Sequence, residues 1–424
     1  MNVLNRSRSG KILGGIAVVG VSALFLAGCS GGGGSESSSD APEAGGELAL
    51  KIGTALPQTG NLAFLGPPEE AGVLFAQSQI NEVSADTGLT LDVVFGDSGD
   101  TDNKAYETEI PRLLGENVSA IIGAASSGTS LQFIDQVVGA GVIQFSPANT
   151  SDAFTTYEDN DLYFRTAPSD VLQGEVLGNL IAEDGNQTLG LLVLNDSYGT
   201  GLAKYITESF EAAGGEVVAA PTYNTGDTTF DAQISELIAA DPDAIALITF
   251  EEVKTILPSL FGTFPAEDLY FVDGNLAQFG EEFPAGSLTG AKGTFPGTNV
   301  DDLAAFTADL NDFWVSEGND ELTEYTYGAE SYDATILIAL ASLAAGSTEG
   351  AEIAAKLQEV SGGSGDGEKC TTYADCAEII LGGGTADYDG ISGPITFDEV
   401  GDPTEATIGI YQFGEDNRYS AYEG

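Results

Sequence analysis

No histidine occurs among the 424 residues. Its absence removes the usual acid–base group of neutral-pH catalysis, every Ser-His-Asp arrangement and most zinc sites. Basic residues are almost as scarce: 13 Lys and Arg stand against 66 Asp and Glu, for a formal charge of −53. A chain of that sign repels nucleic acid and anionic lipid, so neither is expected as a partner. So many carboxylates read as a solvated surface property, suited to a saline or acidic habitat, rather than as a site. Cysteine occurs only three times. Cys370 and Cys376 lie in the polar stretch KCTTYADC, and in an exported chain such a pair reads as a local disulfide. A two-thiol metal or redox pair is the alternative, but no other ligand-rich segment lies near it. No metal and no cofactor are expected.

The amino terminus is a targeting segment. Arg6, Arg8 and Lys11 precede an apolar run, Ile12 to Ala27, that is short for a membrane span of about 20 residues. The run closes on Leu26-Ala27-Gly28-Cys29, which resembles the lipobox of bacterial lipoproteins. Residues 1–28 are therefore expected to be a lipoprotein signal peptide, with Cys29 lipidated. Residues 29–47 are rich in Gly, Ser and acidic groups, with almost nothing to bury, and read as a flexible tether.

The mature chain, roughly 400 residues, exceeds what one hydrophobic core commonly holds, so two domains are expected. Strand-like and helix-like segments alternate from residue 48 to about residue 272. LALKIGTAL, LTLDVVFGD, VSAIIGA and GVIQFSPA read as strands, with helices over Pro68–Val83, over Asp102–Leu114 and from near Ser127. The pattern restarts where Ser169 caps a helix carrying Leu172, Val176 and Leu180 at four-residue steps. TLGLLVLND, GGEVVAAPTY, DAIALITF and LYFVDG are the strands of this second series. Two runs of β-α units imply two doubly wound α/β lobes with parallel sheets. Further on, a long helix is expected over Tyr325–Ala345, and ISGPITFDEVGD and ATIGIYQF as two strands joined by a turn. The tail has too few elements for a third domain and must complete both lobes.

Ligands of open α/β sheets bind beyond the carboxyl ends of the strands. Four strand-to-helix junctions stand out there. In Gly123-Ala124-Ala125-Ser126-Ser127 a strand runs through small residues into a helix, whose first amides and dipole favour an anion. N-capping by serine accounts for the same residues equally well. In Phe145-Ser146-Pro147-Ala148-Asn149-Thr150, Pro147 holds the chain extended, exposing the Ala148 carbonyl and the Thr150 hydroxyl. Tyr198 opens a helix after Asn195-Asp196-Ser197 and either closes over a ligand or packs. Asp273 ends an apolar strand, where a carboxylate holds an ammonium group or makes a turn.

In their order along the chain, IGTALPQTGNLAFLG, VVFGDSGDTDNKA, IIGAASSGTS, FSPANT, YFRTAPSD, LLVLNDSYGTGLA, YFVDG and SGPITFDEVGD resemble the branched-chain amino acid family of type I periplasmic binding proteins. The resemblance implies two Rossmann-like lobes joined by three crossovers, residues 48–167 and 297–400 forming the first and 168–296 and 401–424 the second. It implies a ligand α-carboxylate held by Ser127 and Thr150 with backbone at Ser126 and Ala148. Tyr198 would cover the ligand, Asp273 would take its α-amino group, and Phe250 would line the side-chain end. Leu65 stands where leucine/isoleucine/valine binders usually show an aromatic, and Asp273 is shorter than the Glu common there. The expected function is capture of an amino acid or similar solute outside the cytoplasm for the permease of an ABC importer. The protein would be held by the lipid on Cys29 at the outer face of the plasma membrane or in the periplasm. A sensor of the same fold for amides, urea or aromatic acids is the alternative. A carboxylate-pair glycosidase ranks below both, and no catalytic residue is assigned.

Overall fold

The computed structural model describes residues 47–298, 302–365 and 367–422. The expected signal peptide, the expected lipidation site Cys29 and all but the last residue of the expected tether lie outside them. The first run of elements is β1 (Leu48–Ala55), α1 (Gly66–Glu82), the single turn α2 (Ser84–Thr87), β2 (Leu89–Val94), α3 (Tyr106–Gly115), β3 (Ala120–Gly123), α4 (Ser127–Gly139), β4 (Ile143–Ser146) and β5 (Tyr163–Arg165). Its strands form one parallel sheet in the order β2-β1-β3-β4-β5. The second run is α5 (Asp170–Glu183), β6 (Thr188–Leu194), α6 (Ser197–Ala212), β7 (Glu216–Ala219), β8 (Thr222–Tyr223), α7 (Asp231–Ala240), β9 (Ala244–Ile248), α8 (Val253–Leu260), β10 (Leu269–Phe271) and β11 (Lys292–Pro296). The chain closes with α9 (Ala304–Ser316), α10 (Gly328–Ala345), α11 (Gly350–Val360), β12 (Glu368–Cys370), α12 (Tyr373–Leu381), β13 (Ala386–Tyr388), β14 (Ile408–Phe413) and β15 (Tyr419–Ala421).

The second sheet runs β7-β6-β9-β10-β11-β14-β15, with β8 beside the end of β6. Its members β6 to β11 are parallel, and β14 and β15 join antiparallel. Both sheets thus share a doubly wound order. Helices cover their faces, which is why β3 and β9 are apolar throughout and every residue in them is buried. Helix α10 is buried all round from Gly328 to Leu343, its Glu330 and Asp333 included, and packs between α1 and α11. The chain passes three times between the elements packed about the first sheet and those of the second: from β5 to α5, from β11 to α9, and from β13, which pairs with β12 in a small two-stranded sheet, to β14. No single described helix is long and apolar enough to cross a membrane.

Several elements differ from expectation. Helix α10 starts at Gly328, not Tyr325, because Tyr327 takes a left-handed backbone (φ 60°) before it. Helix α3 starts at Tyr106, not Asp102. The Asp100 carboxylate accepts the amides of Asp102 and Asn103 and forms a turn there instead. GGEVVAAPTY is split into β7 and β8 around Pro221, which has no amide to continue a ladder. The segment 391–402 is not a strand paired with ATIGIYQF. It makes only isolated bridges, Asp389 with Pro394 and Phe397 with Pro403, while β14 pairs with β11 and β15. Cys370 and Cys376 are joined by a disulfide that ties the end of β12 to the first turn of α12.

Candidate ligand-binding site

The site begins where β3 ends. Gly123 has φ +119°, and a Cβ there would collide with the carbonyl oxygen of Ala55 in β1. Only glycine lets the chain turn so close to the neighbouring strand. Ser126 then caps α4, its Oγ accepting the Thr129 amide at 3.3 Å. The first-turn amides of Ser127 and Gly128 have no partner within the helix. The loop after β4 is tied to this turn. Ser146 Oγ donates to the Ala124 carbonyl at 2.7 Å, and Asn149 Nδ2 donates to the carbonyls of Ala124 and Ala125 at 3.0 and 2.8 Å. Ser127 Oγ accepts the Ser151 amide at 3.3 Å. These bonds place Ser126, Ser127, Ala148 and Thr150 side by side, all buried.

The facing wall belongs to the second sheet. Asp273, just beyond β10, accepts the Tyr198 hydroxyl at 2.7 Å and the Tyr327 hydroxyl at 2.8 Å. The Gly274 amide donates to the Tyr198 oxygen at 3.3 Å. The Tyr198 ring stacks on Phe250 with centroids 5.2 Å apart. Burial raises the Asp273 carboxyl above its ordinary range, and the two phenol donors pull it back. The same burial, with Asp273 beside it, pushes Tyr198 well above the usual tyrosine value.

Between the two walls lies Asp170, the first residue of α5. It is fully buried, and neither carboxyl oxygen has a well-formed hydrogen bond among the described residues. Burial, then repulsion from Asp273, raises its pKa strongly; the Thr150 hydroxyl is near enough to offset a little of this but is not aligned for a bond. The Asp170 amide donates to the Thr150 carbonyl at 2.7 Å. Thr150, Asp170, Asp273, Tyr198 and Phe250 therefore form one continuous neighbourhood. The two halves also touch directly. Ser151 Oγ donates to the Ser197 carbonyl at 3.0 Å, and Asn61 Nδ2 donates to Glu252 at 2.9 Å. A cavity of about 510 Å³ opens beside the cluster, its walls part apolar, with Phe64, Phe250 and Leu322, and part charged, with Glu251, Lys254 and Glu282.

Three participants were not singled out in the sequence. Arg165 is fully buried; it donates to Asp402 through Nε at 2.6 Å and to the Ser151 carbonyl at 2.8 Å, bracing the loop that carries Thr150. Asp170 reads in sequence as an ordinary first-turn acid, and Tyr327 as part of a helix. The Pro-Ser-Asp run and the Tyr-Gly step were the only available signals. Chemically the arrangement offers amide donors and hydroxyls on one wall and carboxylates on the other. Among the described residues no group of three or more His, Cys, Asp and Glu is placed to hold a metal.

A profile of the family described as periplasmic binding protein matches residues 49–373. A leucine-, isoleucine-, valine-, threonine- and alanine-binding protein of Pseudomonas aeruginosa is 32% identical over 189 residues, 44% of this chain and 50% of that protein. This chain thus spans about half the length of that relative. A chemotactic signal transduction system substrate-binding protein of Halobacterium salinarum is 23% identical over 362 residues, 82% of this chain and 83% of that one. Among solved structures, a branched-chain amino acid transporter substrate-binding protein of Streptococcus pneumoniae, in complex with isoleucine, superposes with a TM-score of 0.67. It is 24% identical, over 88% of this chain and 99% of its own. That likeness speaks to the fold.

Proposed function

Because this chain belongs to the periplasmic binding protein family, we propose that it captures an amino acid or closely related solute outside the cytoplasm and delivers it to the permease of an ABC importer. The observation that carries this reading is the opposition of the two walls. Helix α4 presents its first-turn amides beside Ser127 and Thr150, and Asp273 faces them with Tyr198 and Phe250. A zwitterion matches that pair of walls: its carboxylate suits the helix start and its ammonium suits the carboxylate. Phe250 and the cavity beside it would receive the side chain. Ligand contacts made to both halves favour the closed arrangement over the open one. In this reading residues 48–167 and 297–400 act as one lobe and 168–296 and 401–424 as the other, with Cys29 carrying the anchor.

The name of the Halobacterium salinarum relative, which covers most of the chain, favours a second reading: the same capture event reported to a signalling partner. Both readings share the site. Calorimetric titration with leucine, isoleucine, valine and alanine tests it. Ser127→Ala and Asp273→Asn should each weaken the binding by about tenfold or more, the loss of one charge-assisted hydrogen bond. Unaltered affinity in both variants would remove the site from the proposal.

A further inference from the structure

Tyr327, whose hydroxyl holds Asp273, also lines a cavity of about 420 Å³, which adjoins the cavity beside Phe250 and shares Gln278, Thr323, Glu324 and Arg418 with it. Its other walls include Phe295, Tyr411 and Tyr419, with the carboxyl groups of Glu324 and Glu330. Ser127, Thr150 and Asp273 do not line it. We propose that this cavity is a second small-molecule site, taking an organic ammonium cation with apolar substituents.

Five aromatic residues around a volume of this size, Tyr325 being the fifth, suit such a cation, which is attracted to ring faces and loses little hydration on entry. The carboxyl groups select the sign of charge, because an entering cation favours their ionised forms and an anion does not. Glu330 is 5% exposed, and the donor to its carboxyl is its own backbone amide, with no basic group among its described hydrogen-bond partners. Glu324 accepts the Gln278 amide at 3.0 Å. Burial pushes Glu330 up to about 8 and Glu324 up to about 7; Lys254 and Arg418 offset part of the rise at Glu324, and no described cation does so at Glu330. The basic group among the lining residues is Arg418, which is exposed to solvent and whose charge partly offsets the rise at Glu324. An anion entering would meet two carboxyls. A neutral apolar molecule would desolvate Glu330 further and give it nothing. A substituted ammonium satisfies both the rings and the carboxyls. Tyr327 links the cavity to Asp273 through one side chain, so its occupant would press on the same residue that shapes the ligand-binding cluster.

The test is isothermal titration of the full chain with tetramethylammonium chloride, with sodium chloride at matched ionic strength as the blank. Saturable binding is expected. Glu330→Gln should weaken it about tenfold, and Tyr411→Leu several-fold, as loss of a charge partner and of a ring face would. Thermal unfolding of each variant shows whether it is folded. Ser127→Ala should leave tetramethylammonium binding within about twofold of the unaltered chain. No binding above the blank overturns the proposal. So does binding that is lost in Asp273→Asn but kept in Glu330→Gln and Tyr411→Leu, which would put the cation in the cluster. Because amino-acid binding is measured separately, its failure leaves this result standing, and the reverse also holds.

Discussion

Several carboxyl side chains among the described residues are withdrawn from water far enough to raise their pKa, and their titration has a sign that can be worked out. Burial raises Glu330 to about 8 and Glu324 to about 7 from an ordinary value of 4.5, and Asp196 to about 6 from 3.8. The folded state therefore favours the protonated forms. Their contribution to stability is complete below the unfolded-state values and is lost as pH rises through the folded-state ones. The unfolding midpoint at fixed salt should fall as pH is raised from about 5 to about 8. Glu330→Gln should flatten the upper part of that decline, since an amide does not titrate. A midpoint that climbs across this window would contradict the burial of these groups.

At the scale of elements, Arg165 joins three segments. It leaves β5, holds both oxygens of Asp402 at 2.6 and 2.7 Å, and donates to the Asn149 and Ser151 carbonyls of the loop after β4. Asp402→Asn would leave a buried guanidinium without its countercharge, which should cost about 3–5 kcal/mol in denaturant unfolding. Replacing both partners, as Arg165→Met with Asp402→Leu, should cost less, because no unpaired charge remains. A loss below about 1 kcal/mol for Asp402→Asn would show that the pair is solvated and not a brace.

How much of this was legible follows from what each element depends on. Strands such as β3 and β9 are buried on both faces, so their apolar runs announce them. Ser126 and Ser169 cap helices in ways their position beside a strand or loop already signals. Tyr327 was not legible, because its left-handed backbone and its reach to Asp273 depend on a partner 54 positions away in the chain. Asp170 looked like any first-turn acid until the fold buried it. The segment 391–402 alternates like a strand, yet its amides go elsewhere. Ile391 and Ser392 donate to the Asp333 carboxylate of α10 at 3.0 and 2.7 Å, and this side-chain acceptor displaces a ladder.

For the whole molecule, charge sets the conditions under which the fold persists. With 66 acidic residues against 13 basic ones, compaction brings like charges together. Salt shortens their reach, to about 10 Å at 0.1 M and about 3 Å at 1 M. The unfolding midpoint should therefore rise as sodium chloride goes from about 0.05 M to about 1 M, most steeply at the low end. A flat profile would mean that the carboxylates are too dispersed to strain the fold. The two sheets, three passages and direct contacts between the halves fit a body that opens and closes on a solute, and in the proposed reading the solute bridges α4 and Asp273.

The most direct test of that reading is thermal unfolding with a panel of amino acids, urea, short amides and aromatic acids. A bound solute at about 100 times its dissociation constant should stabilise the protein by roughly 2.7 kcal/mol. The account predicts an upward shift with one or more amino acids, lost in Asp273→Asn, and none with urea or the aromatic acids. A shift confined to solutes without an amino group would contradict the role given to Asp273 and the capture of amino acids with it.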